Sequence, residues 1–482
     1  MIDISRSLLR QVRSLFRKAG IGKMPGVGQP LQIAAGYDGL FIRGQTADRA
    51  IEFHQPDELR PESLLLPAQF LDDCEGRQGT VTLDNGDQDR PTASWTERGV
   101  PQLVSYSLES RADSWSFPDE PTNWRENSAE LLAGLRAAAA TTESASGRYA
   151  LDCLELRGDS GTITATDGRQ AYWHGGLSFP WTESLLLPVS AVWRSSELTE
   201  LADWRIGQTG DWIVLRSGSW TLWQRVNRDG RFPRLDEVLP KGEPTARLEL
   251  DAVDADFLAQ ALCKLPCHDP DNRPLTIDLN GHVALRAKDT EGRTTEVRLA
   301  RSRYSGAALA ISTNRNYFER AVQRGLHQLA VHGDENIAVA SNGCRKLLWM
   351  LLARNDLVAA QPGMTCLSTD SHASSVSDGL QRRPTPSPIA TQPRRHQTVS
   401  STPHRIADRP VPAAGAATTE GQATASTGGG SSPIQQTTLL LASLNEAARN
   451  TRELIRTLRR QRKQSQLVQS TLASLKQLKE VA

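Results

Sequence analysis

The chain has 482 residues, of which 38% are apolar, 23% charged and 5% aromatic, and its formal net charge is +1. All 26 aromatic residues lie at or before Trp349, so the last 133 residues lack the large side chains that usually build a core. A net charge near zero excludes a uniformly basic nucleic-acid coat, but it is compatible with a local basic surface.

The sequence predicts a soluble protein of the cytoplasm. No run of about 18 uncharged apolar residues occurs, and arginines interrupt the apolar positions of residues 1–20, so neither a membrane span nor a secretory signal is expected. The cysteines are too few and too scattered for a disulfide scaffold, which favours a reducing compartment. They are Cys74, Cys153, Cys263, Cys267, Cys344 and Cys366.

A repeat of about 120 residues runs through the first 355 positions. The stretch Ser63–Ala68 (SLLLPA) returns 121 positions later as Ser184–Val189 (SLLLPV). Alternating runs that begin with Gly39, Gly161 and Gly281 follow the same period and predict hairpin strands.

Each repeat also begins with a helical pattern behind a suitable N-cap residue. Ser5, Ser128 and Asp254 are the predicted caps, and apolar residues follow each at helical spacing. A second helix and a second set of strands complete each unit. We therefore predict an α+β protein of three repeated modules, at residues 1–122, 123–243 and 244–355.

Four motifs give the repeat a family resemblance. They are Ala165–Ala171 (ATDGRQA), Gly230–Pro240 (GRFPRLDEVLP), Tyr304–Ala307 (YSGA) and Trp349–Leu352 (WMLL). Together they resemble the beta subunit of bacterial DNA polymerase III, the sliding clamp of replication. The resemblance implies a DNA-clamp fold and a homodimeric ring of six modules around duplex DNA. It also implies a non-enzymatic processivity factor that tethers polymerase in replication or repair.

The first helix carries the pattern expected of a DNA-facing surface. Arg6, Arg10, Arg13 and Arg17 recur at i, i+4, i+7 and i+11, so they form one stripe opposite the apolar face. Such a stripe can contact phosphates without reading bases, although a merely solvated helix face stays an alternative. Arg320 and Arg324 repeat the pattern in the third module. The family resemblance adds Lys23 and Arg148.

The resemblance also implies an apolar cleft between the second and third modules that binds peptides of polymerases, clamp loaders or repair proteins. By motif position its residues are Leu151, Thr166, Gly168, Arg169, Ala171, Pro233, Val238, Met350 and Leu352. Simple core packing is the alternative for Leu151, Val238 and Leu352. Two departures from the family pattern, the sequence at Trp349–Leu352 and the acidic Glu237, put partner specificity in question.

Signals of catalysis are weak. Neither a phosphate-binding glycine loop nor a nucleophile elbow occurs. Cys263, Cys267 and His268 could supply soft ligands, but no second ligand pair accompanies them. We expect no catalytic residue, no metal and no cofactor.

The chain after residue 355 divides into two parts. Residues 356–434 are rich in Ser, Thr, Pro, Ala, Gly and Gln, which predicts a disordered linker. Residues 435–482 return to helical spacing and predict a long helix that could form a coiled coil. This tail suggests an alternative function, a clamp-derived scaffold without a role in replication that assembles partners through its C-terminal helix.

Overall fold

The computed structural model describes residues 1–22, 30–85, 90–107, 116–143, 149–333 and 336–370. All of them belong to one unit. The predicted C-terminal helix and most of the predicted linker lie outside the described residues.

The first module has two halves, each with a helix and a set of strands. Its elements are β1 Ile2–Ser5, α1 Arg6–Ala19, β2 Leu31–Gly36, β3 Gly39–Gln45, β4 Arg49–Gln55, β5 Glu62–Leu66, α2 Phe70–Cys74, β6 Thr80–Asp84, β7 Thr92–Glu97 and β8 Val100–Ser105.

The second module repeats this order, with two 3₁₀ turns in place of the second helix. Its elements are β9 Trp124–Asn127, α3 Glu130–Ala139, β10 Cys153–Arg157, β11 Thr162–Thr166, β12 Gln170–His174, β13 Ser184–Pro188, the 3₁₀ turns Ala191–Arg194 and Ser196–Leu198, β14 Trp204–Thr209, β15 Trp212–Ser217 and β16 Trp220–Arg225. A further 3₁₀ turn, Leu235–Glu237, lies in the connection to the third module.

The third module has two additional strands. Its elements are β17 Ala246–Glu249, α4 Ala252–Ala261, the 3₁₀ turn Leu262–Lys264, β18 Pro274–Leu279, β19 Val283–Lys288, β20 Thr294–Leu299, β21 Arg303–Gly306, β22 Ala310–Asn314, α5 Arg315–Gln323, β23 Gln328–His332, β24 Ile337–Asn342, β25 Arg345–Met350, the 3₁₀ turn Arg354–Asp356 and β26 Thr365–Ser368. The additional strands are β21 and β26.

One of the three predicted helix caps requires correction. Ser5 caps α1 as predicted, because its side chain accepts the N–H of Leu8. Ser128 lies one residue before the Ala129 N-cap of α3, and its hydroxyl accepts the N–H of Glu130 at 3.3 Å, so it makes the capping bond that was predicted. In α4 the cap is Asp251, while Asp254 lies inside the helix and is fully buried. The Asp254 carboxylate accepts the N–H groups of Arg301 and Ser302, so a tertiary contact replaces the predicted local one.

Sheets cross both module junctions. The eight-stranded sheet has the order β5-β2-β3-β4-β16-β15-β14-β9, so β4 of the first module pairs with β16 of the second. The nine-stranded sheet has the order β13-β10-β11-β12-β25-β24-β23-β17-β21, so β12 of the second module pairs with β25 of the third. Both junction pairs are antiparallel. Because the sheets cross the predicted module boundaries, those boundaries stay a prediction.

The two remaining sheets lie at the ends of the module series. The first module contributes a four-stranded sheet of order β1-β6-β7-β8. The third contributes a five-stranded sheet of order β22-β18-β19-β20-β26. By position in the repeat, β20 corresponds to β4 and β12, and β8 corresponds to β16 and β25. The four-stranded sheet thus corresponds to one half of an internal junction, and the strands β22-β18-β19-β20 correspond to the other half.

The strand β26 also corrects the predicted start of the linker. Thr365–Ser368 pairs with β20, and Val358 and Thr369 are buried against the third module. The predicted linker therefore begins too early at residue 356, because residues 356–370 pack on the fold. Single apolar side chains and threonine hydroxyls make these contacts, so they leave no periodic pattern in the sequence.

Candidate nucleic-acid interface and peptide cleft

Helix α1 buries one face and presents the other to solvent. It ends at Gly20, whose φ of 91° is the left-handed C-cap conformation that glycine adopts without strain. The buried face consists of Leu9, Val12, Leu15, Phe16 and Ala19. The other face lines an open groove, whose residues are Arg10, Arg13, Ser14, Arg17, Lys18, Glu75 and Ala191. Basic side chains therefore make up most of the lining of this groove.

Arg6 is a correction to the predicted stripe. Its side chain is only 6% exposed, and its guanidinium donates to the backbone oxygens of Cys74 (3.1 Å) and Glu75 (3.0 Å). It also lies 3.3 Å from the Glu97 carboxylate and over the Trp95 ring. Because these contacts use its donors, Arg6 joins α1 to the end of α2 and is not available to DNA.

Arg13 and Arg17 belong to the stripe but are paired with acids of another segment. Arg13 contacts Asp72 and lies 2.9 Å from Glu75, and Arg17 lies 2.7 Å from Asp72. Burial lowers the pKa of Arg13, but Asp72 and Glu75 outweigh burial and raise it. The stripe is therefore partly neutralised, which its own sequence spacing does not reveal.

Lys18 is a basic group of this surface that the sequence pattern missed. It follows Arg17 directly in the chain, so the spacing that connects the four arginines leaves it out. Its Nζ donates to Ser195 Oγ at 2.7 Å and lies 3.6 Å from Glu197, in the second module. Burial would raise the pKa of Glu197, but hydrogen bonds from Ser14 and Ser195, together with Lys18, lower it to about 2.

The basic side chains of the groove differ in how free they are to bind a phosphate. Four side chains are basic and Glu75 is acidic, and the Ser14 hydroxyl between them hydrogen-bonds to Glu197. Arg10 is exposed, and no ion pair to it is found among the described residues. Of the four predicted stripe residues, Arg10 is the one whose charge is most available to a phosphate.

The predicted arginines of the third module hold the fold together. Arg324 donates to the carbonyl oxygen of Ala137 at 2.7 Å and lies over the Tyr172 ring, 4.6 Å from its centre. Burial lowers the pKa of Arg324 to about 10. Arg320 is half-buried and donates to Gln170 at 2.6 Å. Both arginines connect the third module to the second. The prediction that Arg324 faces DNA is wrong, because its donors are used within the protein, and the contact of Arg320 with DNA stays a prediction.

Two further predicted contacts, Lys23 and Arg148, lie outside the described residues. Within the part of the chain that the structure describes, the cationic surface on the helices is thus concentrated in the first module. The exposed positions of α3 are Glu130 and Ala133, which carry no positive charge.

The turn between β11 and β12 forms one side of the predicted peptide cleft. Gly168 has a φ of 86°, and its N–H donates to Thr166 Oγ1 at 3.0 Å. The Asp167 carboxylate accepts the N–H groups of Arg169 and Gln170. Arg169 is exposed. These bonds give the turn a fixed conformation, which explains why its sequence is a recognisable motif.

The end of β25 lies directly beside this turn. The N–H of Met350 donates to the carbonyl oxygen of Arg169 at 3.3 Å, and the buried Ala171 pairs with Leu348. The Met350 side chain is 50% exposed. The structure therefore brings Arg169 and Met350 together as predicted from the motifs, with an apolar side chain open to solvent.

The connection between the second and third modules packs against the same strands. Leu235 is buried in a cluster with Ala171, Trp173 and Leu348, on which Phe232 and Leu239 pack. An ion pair of 2.7 Å between Arg157 and Asp236 ties the connection to β10. The two predicted cleft residues of this connection are partly open to solvent, since Val238 is 43% exposed and Pro233 is half-buried.

The backbones of Leu151 and Leu352, the two remaining predicted cleft residues, bond to other segments of the chain. The backbone of Leu151 bonds to Tyr149 and Glu143, and the N–H of Leu352 donates to Ser312 of β22 at 2.8 Å.

Sequence reasoning missed three residues of the connection and its cluster, Trp173, Phe232 and Leu239. Phe232 and Leu239 lie in an irregular connection with one 3₁₀ turn, Leu235–Glu237, so the usable signal was their place in the Gly230–Pro240 motif and not a helical spacing. Trp173 lies on a strand whose residues are all buried, so its position offered no such signal.

The described residues contain no cluster of His, Cys, Asp or Glu that could hold a metal ion. Cys263 is exposed, and the Cys267 thiol donates to the Asp269 carbonyl oxygen at 3.1 Å. No helix in the described ranges is long and apolar enough to cross a membrane.

No family model and no curated protein matches the sequence. Solved structures do match it. The chain is similar to the DNA polymerase III subunit beta from Pseudomonas aeruginosa, with 18% identity, a TM-score of 0.58 and coverage of 73% of this chain and 99% of that one. It is also similar to the beta subunit from Streptococcus pyogenes, with 16% identity, a TM-score of 0.59 and coverage of 73% and 99%. A putative DNA polymerase III beta subunit from Eubacterium rectale matches with 14% identity, a TM-score of 0.58 and coverage of 73% and 98%. The predicted DNA-clamp fold is confirmed.

Proposed function

We propose that this chain, whose described residues have the fold of the bacterial DNA polymerase III beta subunit, is a sliding clamp. Two copies close into a ring of six modules around duplex DNA and tether a polymerase or a repair enzyme to it. The clamp binds and positions its partners, and it catalyses no reaction. The observation that carries this proposal is the repeated junction between modules.

Each junction inside the chain joins two half-sheets through one antiparallel strand pair, β4 with β16 and β12 with β25. Two half-sheets of the described fold take part in no junction within the chain: the one that ends in β8, in the first module, and the one that contains β20, in the third. These are the same two halves that meet at the internal junctions. A second copy can therefore supply β8 to β20 and receive β20 on β8, which closes a two-fold ring.

The edge strand β8 exposes large apolar side chains, which is typical of a surface that binds another chain. Val100 and Leu103 are 57% and 70% exposed, although both are large apolar residues on a regular strand. Exposed edge strands of this kind pair readily with another chain. Pairing with a second copy would use the free backbone groups of this edge and would place side chains of the partner strand beside Val100 on one face of the sheet and Leu103 on the other.

The groove on α1 supports a contact to DNA that is independent of sequence. Its basic side chains lie on a helix surface, where long flexible cations reach phosphates without a fixed register to the bases. The apolar groups at Val238 and Met350 support a second contact, to an apolar peptide segment of a polymerase, loader or repair protein.

Topological retention on DNA tests the proposal. Full-length protein is assembled at micromolar concentration on a nicked circular plasmid, and the complex is washed in high salt, which removes ionic binding. A closed ring stays on the circle and leaves when a single-site nuclease linearises the plasmid. Equal retention before and after cutting, or equal loss in the wash from circular and linear DNA, would contradict the ring.

The scaffold function is favoured by one observation. Arg320 and Arg324 make contacts within the protein, so the third module offers few cations on the described helix surfaces. A scaffold would fail the retention test on circular DNA and would still form the dimer. The dimer alone therefore does not separate the two functions, and the plasmid experiment does.

A further inference from the structure

The edge of β20 that a second copy would need is occupied by the chain itself. β26 pairs with β20 in parallel, with Thr295 opposite Thr365, Val297 opposite Leu367 and Arg298 opposite Ser368. At the two internal junctions the equivalent position holds an antiparallel strand of the neighbouring module. β26 therefore lies where β8 of a second copy would lie if the third junction followed the same rule.

β26 is fixed at its two ends and weakly held between them. On its N-terminal side Val358 is buried, and its N–H donates to Thr276 Oγ1 at 2.7 Å. On its C-terminal side Thr369 is 2% exposed, and its Oγ1 accepts the N–H of Ala300 at 3.0 Å.

The strand between these anchors buries little. Thr365, Cys366 and Leu367 are exposed, and Leu367 keeps 40% of its surface in solvent. A four-residue strand on one edge with exposed side chains has few apolar contacts to lose when it detaches. β8 has six residues and two exposed apolar side chains that could gain burial at the same edge.

We propose that β26 is an exchangeable edge strand that competes with β8 of a second copy for β20 and so controls ring closure. This inference rests on the proposed ring. With β26 in place, the ring-forming edge is covered and the chain stays open. When β26 detaches, the edge accepts the second copy.

The competition sets the apparent affinity of the dimer. The ring needs a vacant β20 edge on both copies, so the apparent Kd of the dimer equals the intrinsic Kd divided by the square of the fraction with β26 detached. A change that detaches β26 therefore tightens the dimer. A change that fixes β26 prevents it.

The test measures the dimer Kd of full-length variants by sedimentation equilibrium. Leu367→Pro disfavours pairing of β26, because proline lacks the N–H and suits few strand positions. We expect its Kd to fall at least about a hundredfold, if at most a tenth of the wild-type molecules have β26 detached. Glu126→Pro is the matched control, because β9 is also a four-residue edge strand, and its Kd should equal that of the wild type.

A covalent lock gives the opposite result. In Thr295→Cys/Thr365→Cys/Cys366→Ser, the two new thiols are register partners on adjacent strands, whose Cα atoms lie about 4.8 Å apart, within disulfide range. The oxidised form should stay monomeric, and reduction should restore dimerisation. An oxidised form that dimerises as well as the reduced form overturns the inference.

The outcomes separate the two proposals. If Leu367→Pro leaves the Kd of a normal dimer unchanged, β26 does not compete and the ring proposal still stands. If the chain stays monomeric even in Leu367→Pro, the ring and the competition both fail. Hydrogen exchange gives a second readout, because residues 365–368 should lose protection when the wild type dimerises.

Discussion

Two arginines on one helix show how tertiary contacts give residues of the same type different roles. Arg6 and Arg10 are four positions apart in the stripe of α1. Arg6 is buried and donates to two carbonyl oxygens at the end of α2, whereas Arg10 is exposed in the groove. Substitution of Arg6 should therefore lower stability, whereas substitution of Arg10 should weaken DNA binding.

Arg6→Gln should lower the free energy of unfolding by about 1 to 3 kcal/mol, because buried carbonyl groups lose their donors. Arg10→Gln should change it by less than about 0.5 kcal/mol, the usual range for surface substitutions.

In DNA binding, Arg10→Gln should reduce the slope of log K against log salt by about 0.9, the loss of one phosphate contact. Urea unfolding and a salt titration of binding measure the two effects. A normal salt slope for Arg10→Gln would remove this residue from the interface.

Among the secondary-structure elements, α1 is joined to the 3₁₀ turns of the second module through Glu197. This carboxylate accepts hydrogen bonds from Ser195 and Ser14 and lies near Lys18. The contact joins two modules without a strand pair. Its strength depends on the ionised carboxylate.

This contact should weaken in acid. The pKa of Glu197 falls from 4.5 to about 2 in the folded protein, so its stabilisation is complete above pH 4.5 and is lost as pH falls through about 2. The free energy of unfolding of the wild type should therefore decrease more steeply between pH 5 and pH 2 than that of Glu197→Gln. Urea unfolding at several pH values measures the difference, with the exposed Glu200→Gln as control. Identical pH profiles for the wild type and Glu197→Gln would contradict this role.

At the scale of the whole described fold, the first and third modules each hold one half-sheet that takes part in no junction within the chain. The exposed apolar residues of β8 belong to one half, and β20 with β26 forms the other. Their burial in a dimer would remove the exposed apolar side chains of β8 from water.

Leu103→Asp should therefore weaken the dimer by about 30-fold or more, the effect of losing about 2 kcal/mol at a central interface residue. Tyr37→Asp is the control, because Tyr37 is 78% exposed on a turn outside the four-stranded sheet. Sedimentation equilibrium measures both variants beside the wild type. Equal effects of the two substitutions would argue against β8 as the interface.

The repeat, the first helix of each module, the hairpin strands and the motif at Ala165–Ala171 could be predicted without coordinates, because local patterns and turn chemistry depend on adjacent residues. The two 3₁₀ turns of the second module and the additional strands β21 and β26 could not. The motifs also placed Arg169 and Met350 at one junction. Leu352, which lies in the same motif as Met350, bonds instead to β22.

The availability of each charge, by contrast, depends on long-range contacts. Asp72 and Glu75 are more than fifty positions from Arg13 and Arg17, and Arg324 meets Ala137 across a module junction, so no local pattern records these contacts. The placement of β26 on β20 is likewise a long-range backbone pairing, which depends on where the fold leaves an edge and not on the side chains of Thr365–Ser368.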